Sequence, residues 1–193
     1  MFKKVLIANR GEIALRVIRA CREMGVTAVI AYSEADRDSL PVRMADERIC
    51  IGPGPGSKSY LHIPNIISAA LLTGCEAIHP GYGFLSENAS FAEICVDVGV
   101  VFIGPPPAAM VQMGDKVQAR IAMEREGLPM LPGTDVLHTV GEGEAAAERI
   151  GFPRMIMGGG GGGGRGFRMV RGTEVFTLVF TKALCVVRVE FHV

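Results

Sequence analysis

A run of seven consecutive glycines, residues 158–164, is the stretch best suited to chemistry, and Arg165 follows it directly. Backbone N–H groups that no Cβ atom screens can form a concave nest around phosphate oxygens. The guanidinium of Arg165 adds a planar fork of donors that suits the same anion. The alternative is a disordered linker, since glycine-rich tracts behave as flexible coil. We favour the phosphate-binding interpretation because strand-like segments closely flank the run.

The flanking segments, residues 152–157 and 166–170, predict a β-hairpin. A dinucleotide-binding fingerprint would require a helix directly after the glycines, and residues 167–170 do not resemble one. A P-loop would end in Gly-Lys-Ser or Gly-Lys-Thr, whereas this run ends in Gly164-Arg165-Gly166. The order strand, glycine loop, strand therefore predicts a hairpin lid that contacts phosphate.

A second group of polar side chains lies in residues 79–88, which read HPGYGFLSEN. This loop follows a short predicted strand, and open α/β sheets bind their ligands beyond the carboxyl ends of the strands. The alternative is a capped turn, in which Ser90 is the N-cap of the next helix and the polar groups of the loop satisfy one another. The residues alone leave these two interpretations open.

The elements that must position these residues alternate between strand and helix up to residue 107. Short apolar runs predict buried strands, and helical spacing of apolar residues predicts the helices between them. This order predicts an α/β fold with a doubly wound parallel sheet. An acidic residue after the second strand, Glu34 or Asp36, could bind a ribose, but a single glycine in the first turn is weak support for a dinucleotide site. The predicted strands are 5–8, 27–32, 48–51, 77–79 and 100–103, and the predicted helices are 13–24, 39–45, 63–72 and 91–98.

After residue 107 the pattern changes, and we predict the start of a second domain. Helical segments precede the predicted hairpin. The tail, residues 173–193, begins like a helix, but its last seven residues alternate strictly and predict a strand at 187–193. We therefore predict one domain over residues 1–113 and a second, partial domain over residues 114–193.

The composition of the chain argues against several classes of function. Twenty basic and twenty acidic residues give zero formal net charge, so there is no basic excess for nucleic acid. Five widely spaced cysteines without a C-x-x-C predict reduced thiols in a cytoplasmic protein. The four histidines show no metal-ligand spacing, and no apolar run approaches the length of a membrane span. We expect a soluble protein that binds neither nucleic acid nor membranes.

Five motifs in order along the chain make it resemble the N-terminal part of biotin carboxylase. They are IANRGEIA at 7–14, HPGYGFLSEN at 79–88, FIGP at 102–105, MGDK at 113–116 and the glycine run. The resemblance covers residues 1 to about 172. It implies an N-terminal α/β domain followed by the beginning of an ATP-grasp lid domain.

The resemblance also implies an activity. Biotin carboxylase is an ATP-dependent ligase of acetyl-CoA, propionyl-CoA and pyruvate carboxylases. It uses ATP, Mg²⁺ and bicarbonate to carboxylate biotin, which is presented on a carrier protein. The partners implied are a second copy of the chain and other carboxylase subunits.

The same resemblance implies roles for six residues but no catalytic residue and no metal ligand. The magnesium ligands, the general base and the arginine near biotin belong to the C-terminal half of the family. The implied roles are ATP contacts at Lys116, Gly163, Gly164 and Arg165, and substrate-side positions at Tyr82 and Gly83.

Two departures from the family lower the expected activity. Met157 stands where the family has a lysine that contacts nucleotide phosphate, and the loss of one charge-assisted hydrogen bond costs about 1.5–3 kcal/mol. Family members are also much longer, so we expect this chain to be inactive by itself. The alternative function is a non-catalytic α/β module for dimerisation or partner binding. The motifs at 9–12 and 79–88 argue against a different ATP-grasp ligase.

Overall fold

The computed structural model describes residues 1–114, 116–131, 133–134, 136–156 and 167–191, with the side chains of residues 116, 117, 173 and 184–191 left undescribed. The chain divides into two compact units, Met1–Val111 and Gln112–Val193.

The first unit is built on a five-stranded sheet in which all neighbouring strands are parallel. The strand order is β3-β2-β1-β4-β5, so the chain adds strands first on one side of β1 and then on the other. The strands are β1 (Lys4–Ile7), β2 (Thr27–Tyr32), β3 (Glu47–Cys50), β4 (Ala77–His79) and β5 (Val101–Phe102).

Helices cover both faces of this sheet. Alternate residues of β1 point to opposite faces, as the two-residue period of a strand requires. Val5 and Ile7 belong to one apolar cluster, with α1 (Gly11–Glu23) and α2 (Leu40–Met44). Leu6 and Ala8 belong to the other, with the helices α3 (Ile63–Thr73) and α4 (Ala89–Asp97). The predicted doubly wound α/β fold is therefore confirmed.

The second unit contains helices and one two-stranded antiparallel sheet. The predicted hairpin is confirmed: β6 (Arg154–Ile156) pairs with β7 (Arg168–Val170), and Met155 lies opposite Met169. The unit is reached through α5 (Pro107–Gly114), and its helices are α6 (Lys116–Arg125), α7 (Val140–Ile150) and α8 (Phe176–Phe191). None of the helices in the described ranges is long and apolar enough to cross a membrane.

The start of α7 is fixed by its own side chains. Thr139 accepts a hydrogen bond from the Glu142 N–H, and the Glu142 carboxylate accepts from the N–H of Thr139 in return. This capping box satisfies donors that the first turn of a helix leaves free.

The predicted strand at 187–193 is wrong, because the backbone is helical through Phe191 and residues 192–193 lie outside the described part. The earlier part of the tail explains the outcome. Phe176, Phe180 and Ala183 are buried at helical spacing, and the two phenylalanines cluster with Ala147 of α7 and Val170 of β7. Extending an anchored helix adds one hydrogen bond per residue, which outweighs a local alternation of apolar side chains.

Candidate functional site

A cleft opens at the carboxyl ends of β1 and β4, the two strands between which the strand order reverses. Open α/β sheets bind ligands at such switch points because the connections leave in opposite directions there. The cleft has a volume of about 420 Å³ and is lined by Glu12, Ile13, Arg16, His79, Gly81 and Tyr82. We call it the switch-point cleft. It brings the N-terminal part of α1 against the predicted ligand loop, residues 79–88.

The ligand loop is held by the end of β1. Asn9 is 1% exposed, and its Nδ2 donates to the carbonyl oxygens of Pro80 at 2.7 Å and Tyr82 at 2.9 Å. Its Oδ1 accepts from the Arg10 N–H at 2.9 Å. The loop is therefore fixed by side-chain hydrogen bonds from a residue about 70 positions earlier in the chain.

Backbone conformation in the loop explains its two glycines. Gly81 and Gly83 have φ of +67° and +68°, a left-handed region that glycine enters without steric cost. At Gly81 there is no room for a side chain either, because a Cβ would lie 2.6 Å from Asn9 Nδ2 and 2.7 Å from Ile13 Cγ2. At Gly83 a Cβ would meet nothing within 4 Å. Gly81 is thus required by close packing and Gly83 only by its backbone angle.

The titratable groups of the cleft are partly engaged with one another. The Tyr82 hydroxyl donates to Glu12 Oε1 at 3.3 Å. His79 Nδ1 accepts the Gly81 N–H at 3.0 Å, which puts the proton of the neutral ring on Nε2. Burial lowers the pKa of His79, because it disfavours the charged imidazolium. The histidine is therefore neutral near pH 7, and the cleft contains a cation at Arg16 and an anion at Glu12.

A cluster of one cation and two aromatic rings holds the far side of the loop. The Arg10 guanidinium carbon lies 5.6 Å from the Phe84 ring centroid and 5.8 Å from that of Tyr60, distances that allow cation–π attraction. The two rings stack at 4.9 Å. Phe84 has φ of +42°, a conformation rare outside glycine, and the stacking helps to hold it.

Asp36 supports this cluster through one of its two carboxylate oxygens, Oδ2. Asp36 Oδ2 accepts from the Ser33 hydroxyl at 2.7 Å and the Tyr60 hydroxyl at 2.8 Å, and it lies 3.9 Å from Arg10. Burial, with Asp36 adding to it, raises the pKa of Tyr60 to about 12. Asp36 thus contributes one oxygen to the packing around the loop, and ribose binding at Glu34 or Asp36 stays a prediction.

The prediction that Ser90 caps α4 is wrong. Asn88 is the N-cap, and its Oδ1 accepts the Phe91 N–H at 2.9 Å. Both residue types cap helices well, so the path of the loop decides at which residue the helix begins. The C-terminal end of the ligand loop is thus a capped turn, while its N-terminal half lines the switch-point cleft.

The second candidate site is the hairpin. Ile156 lies opposite Arg168, so the pairing brings the two ends of the segment that contains the glycine run together. Val170 is buried against the helices, whereas Met155 and Met169 are 52% and 58% exposed on the other face. The hairpin therefore exposes two methionine side chains on its outer face.

The predicted ATP contacts are only partly covered by the described residues. Lys116 is the first residue of α6, and its side chain lies outside the described part. Gly163, Gly164 and Arg165 lie outside the described residues, as does Met157. In the described part of the chain no group of three His, Cys, Asp or Glu side chains could hold a metal ion.

The sequence interpretation gave no role to Asn9, Arg10 or Arg154. Asn9 and Arg10 directly follow a buried strand, at the edge where α/β sheets place functional groups, and that was the available signal. Arg154 donates to the carbonyl oxygens of Ala146, Ala147 and Gly151 at the end of α7, and its guanidinium stacks over Phe152. It joins β6 to that helix, and its buried Nε has no hydrogen-bond partner among the residues that the structure describes.

Comparison with known families gives matches over both units. A family model described as biotin carboxylase, N-terminal domain, matches residues 1–110. A second, described as carbamoyl-phosphate synthase L chain, ATP binding domain, matches residues 115–192.

Individual relatives agree with the first of these matches. Biotin carboxylase from Nostoc sp. is 54% identical over 183 residues, which are 94% of this chain and 41% of that protein. The chloroplastic biotin carboxylase of Arabidopsis thaliana is 51% identical over 93% of this chain and 34% of its own length. The chain spans about two fifths of the length of the bacterial relatives that it matches.

Solved structures show the same relationship. Biotin carboxylase from Campylobacter jejuni, in a β-γ-ATP complex, superposes with a TM-score of 0.92 at 45% identity and covers 100% of this chain and 43% of its own. The biotin carboxylase domain dimer of Hydrogenobacter thermophilus 2-oxoglutarate carboxylase, with MgADP and bicarbonate, gives 0.89 at 45% identity, over 100% of this chain and 42% of its own.

Proposed function

The chain belongs to the biotin carboxylase N-terminal domain family, and from this premise we propose that it contributes to the ATP-dependent carboxylation of biotin by bicarbonate. In this proposal residues 1–113 are the α/β domain and residues 114–193 are the beginning of the ATP-grasp domain. The activity belongs to an enzyme that also contains the C-terminal part of the family. The 193-residue chain does not turn over by itself.

The observation that carries this proposal is the antiparallel pairing of β6 and β7 on either side of the glycine segment. A hairpin of this kind can lower a row of backbone N–H groups onto phosphate oxygens. The exposed Met155–Met169 pair beside it offers an apolar surface of the kind that a purine ring contacts. The hairpin is therefore suited to bind both ends of a nucleoside triphosphate.

We assign the phosphate contacts to four residues. Phosphoryl transfer is catalysed mainly by positioning and by neutralising charge, which are tasks for cations and backbone donors. The ammonium of Lys116 and the guanidinium of Arg165 supply positive charge, and the N–H groups of Gly163 and Gly164 supply neutral donors. Magnesium would neutralise further phosphate charge in the intact enzyme. We assign it no ligand in this chain, because the described residues contain no suitable cluster.

The substrate side of the reaction is assigned to the switch-point cleft. Tyr82 is 65% exposed there, and the next residue, Gly83, has open space on the side where a Cβ would lie. We propose that these two residues face bicarbonate and the biotin of a carrier protein. The partners in this proposal are a second copy of the chain and other carboxylase subunits, and the location is the cytoplasm. The described cysteines, all of which are free thiols, fit a reducing compartment.

Titration calorimetry with ATP and Mg²⁺ tests the nucleotide role. We expect the chain to bind MgATP weakly and Lys116→Ala to weaken binding about tenfold or more, since a charge-assisted hydrogen bond contributes about 1.5–3 kcal/mol. Lys58→Ala is the matched control, because Lys58 is an exposed lysine of the first unit. Absence of heat with the unmutated chain, or equal affinities for all three proteins, would refute the nucleotide role.

A second assay tests the incompleteness of the chain. Bicarbonate-dependent release of ADP in the presence of free biotin should not exceed the background rate. Turnover above background would show that the residues present suffice for catalysis.

The alternative function is a non-catalytic α/β module for dimerisation or partner binding. It is favoured by one observation, that the sheet of the first unit has both faces covered within Met1–Val111. The calorimetric experiment separates the two functions, because a pure interaction module has no reason to bind MgATP through Lys116.

A further inference from the structure

We propose that Asn9 is the positioning residue of the ligand loop: its side-chain amide determines the position of Tyr82, which lines the switch-point cleft, and of Gly83, which follows it. The importance of that position rests on the proposed function, in which these two residues face the substrate.

The side-chain hydrogen bonds of Asn9 hold the loop backbone at Pro80 and Tyr82. A primary amide has two N–H donors, and both are used on loop carbonyls, those of Pro80 and Tyr82. Its oxygen accepts the Arg10 N–H, which orients the amide and identifies which terminal atom is nitrogen. The acceptor at 2.9 Å is the carbonyl of Tyr82 itself, so the bond fixes the peptide that joins Tyr82 to Gly83.

The sheet brings Asn9 to this place. β1 pairs in parallel with β4 in the register Ile7 opposite His79, and the Ala8 N–H donates to the His79 carbonyl at 3.0 Å. Asn9, two residues after the end of β1, therefore lies directly beside the start of the loop. Asn9 is buried and follows a strand that lies in the middle of the sheet, so its backbone has neighbours on both sides.

Close packing against Asn9 excludes a larger side chain at Gly81. Gly81 passes over the Asn9 side chain at a distance that would not admit a Cβ. Phe84, on the other side of Tyr82 and Gly83, is held by the Arg10 guanidinium and the Tyr60 ring. Tyr82 and Gly83 therefore lie between two anchored parts of the loop. The part before them is held by Asn9, and Phe84 after them is held by Arg10.

The test is Asn9→Asp in the full chain, followed by amide hydrogen exchange. This substitution preserves shape but replaces Nδ2, which carries both donor hydrogens, with one carboxylate oxygen that faces two carbonyl oxygens. We expect exchange of the Gly81 and Ser86 amides, which donate within the loop, to become roughly tenfold faster or more, because two hydrogen bonds are lost. The amide of Leu6, in the middle of β1, serves as the internal reference.

Asn65→Asp is the matched control. Asn65 is also an asparagine whose Nδ2 donates to a backbone carbonyl, that of Ile51 at 2.8 Å. Its substitution should leave the exchange of Gly81 and Ser86 unchanged relative to Leu6. Asn9→Ser is the second variant, in case a buried carboxylate prevents folding, and with one hydroxyl donor it should give an intermediate acceleration.

Acidification supplies a signature that simple destabilisation would not show. The carboxyl group introduced by Asn9→Asp becomes a donor once it is protonated, and it can then restore one bond to the loop. The excess exchange of this variant over the unmutated chain, corrected for the intrinsic pH dependence of exchange, should therefore shrink at low pH. The proposal is overturned if the two loop amides exchange as in the unmutated chain, or if Asn9→Asp accelerates Leu6 equally.

A separate experiment tests whether Tyr82 and Gly83 face the substrate. Bicarbonate and free biotin are titrated into the unmutated chain, and the amide signals of Tyr82 and Gly83 are followed. Unmoved signals would refute the substrate-side assignment but leave the exchange result on Asn9 standing. Moved signals that respond with the same affinity in Asn9→Asp, despite a loosened loop, would overturn the positioning role.

Discussion

The two units of the chain hold their candidate sites in different ways. In the first unit the switch-point cleft is supported by a central strand, and two clusters of buried residues cover the faces of the sheet. In the described part of the second unit one cluster, of only four buried residues, supports the hairpin. Its functional segment lies between the strands rather than on them.

This difference indicates how each site is organised before a ligand arrives. Groups carried by a packed sheet keep their positions without a ligand, as the fully bonded Asn9 does. A row of glycines has no side chains to pack, so ordering it costs about 0.5–1 kcal/mol per residue more than alanine in regular structure. We therefore expect the cleft to be preformed and the phosphate contacts to form on binding.

The largest effect should come from Phe180→Ala in the small core. Replacing a buried phenylalanine with alanine costs about 3–5 kcal/mol, and a core of this size has little to replace it. We expect the amide signals of β6 and β7 to lose their dispersion while those of β1 and β2 persist. Phe91→Ala, in the larger core, should lower the denaturation midpoint of the first unit without unfolding it. If the amide signals of both units lose their dispersion in Phe180→Ala, the two units do not fold independently.

A smaller loss of stability than that of Phe180→Ala is expected in the cleft, where Gly81→Ala is compared with Gly83→Ala. Both glycines have positive φ, so each substitution costs about 1–2 kcal/mol of backbone strain. Only Gly81 adds a steric clash, with Asn9 and Ile13. Urea denaturation should show the Gly81 variant less stable by a further ~1 kcal/mol or more. Equal losses would mean that the loop moves away from β1 easily.

Arg10→Lys should have a still smaller effect on the first unit. The guanidinium lies within cation–π distance of two rings, and the substitution replaces this delocalised cation with a compact ammonium but keeps the charge. About half of the Arg10 side chain is exposed, so the loss should be about 0.5–1 kcal/mol. Arg37→Lys, at an exposed arginine of the same unit, is the control. If Arg10→Lys lowers the free energy of unfolding no more than the control does, Arg10 does not stabilise the loop.

The smallest effect should be a pH dependence of the second unit at Glu142. The backbone N–H of His138, with that of Thr139, lowers the pKa of this carboxyl group. A lowered pKa means that the stabilisation is complete above the ordinary glutamate value of about 4.3 and is lost as the pH falls through the lower folded value. Glu142→Gln should therefore reduce the change in the melting temperature of the unit between pH 5 and 3, whereas Glu148→Gln on the same helix should not. A slope unaffected by Glu142→Gln would contradict the capping box.

Much of the fold could be predicted from local pattern. The strand Thr27–Tyr32 has its predicted bounds, because a run buried on both faces is apolar throughout. The tail could not be predicted locally. Its alternation favours a strand, but the burial of Phe176 and Phe180 against α7 and β7 depends on distant residues.

The site was predicted less completely, for the same physical reason. The loop at 79–88 is visible in sequence because glycines and polar residues follow a strand. Its anchor, Asn9, lies about 70 residues away, and only the pairing of β1 with β4 brings the two together. Likewise, Asn88 and Ser90 are both good caps, and only the path of the loop selects Asn88.

The central claim is that nucleotide binds at the hairpin of the second unit and not in the switch-point cleft, where a doubly wound sheet often binds it. The most direct measurement is an amide NMR titration of the chain with MgATP. We predict that signals of β6, β7 and the first turn of α6 move, while those of residues 9–16 and 79–84 do not. Movement at residues 9–16 and 79–84 with an unchanged hairpin would contradict the account.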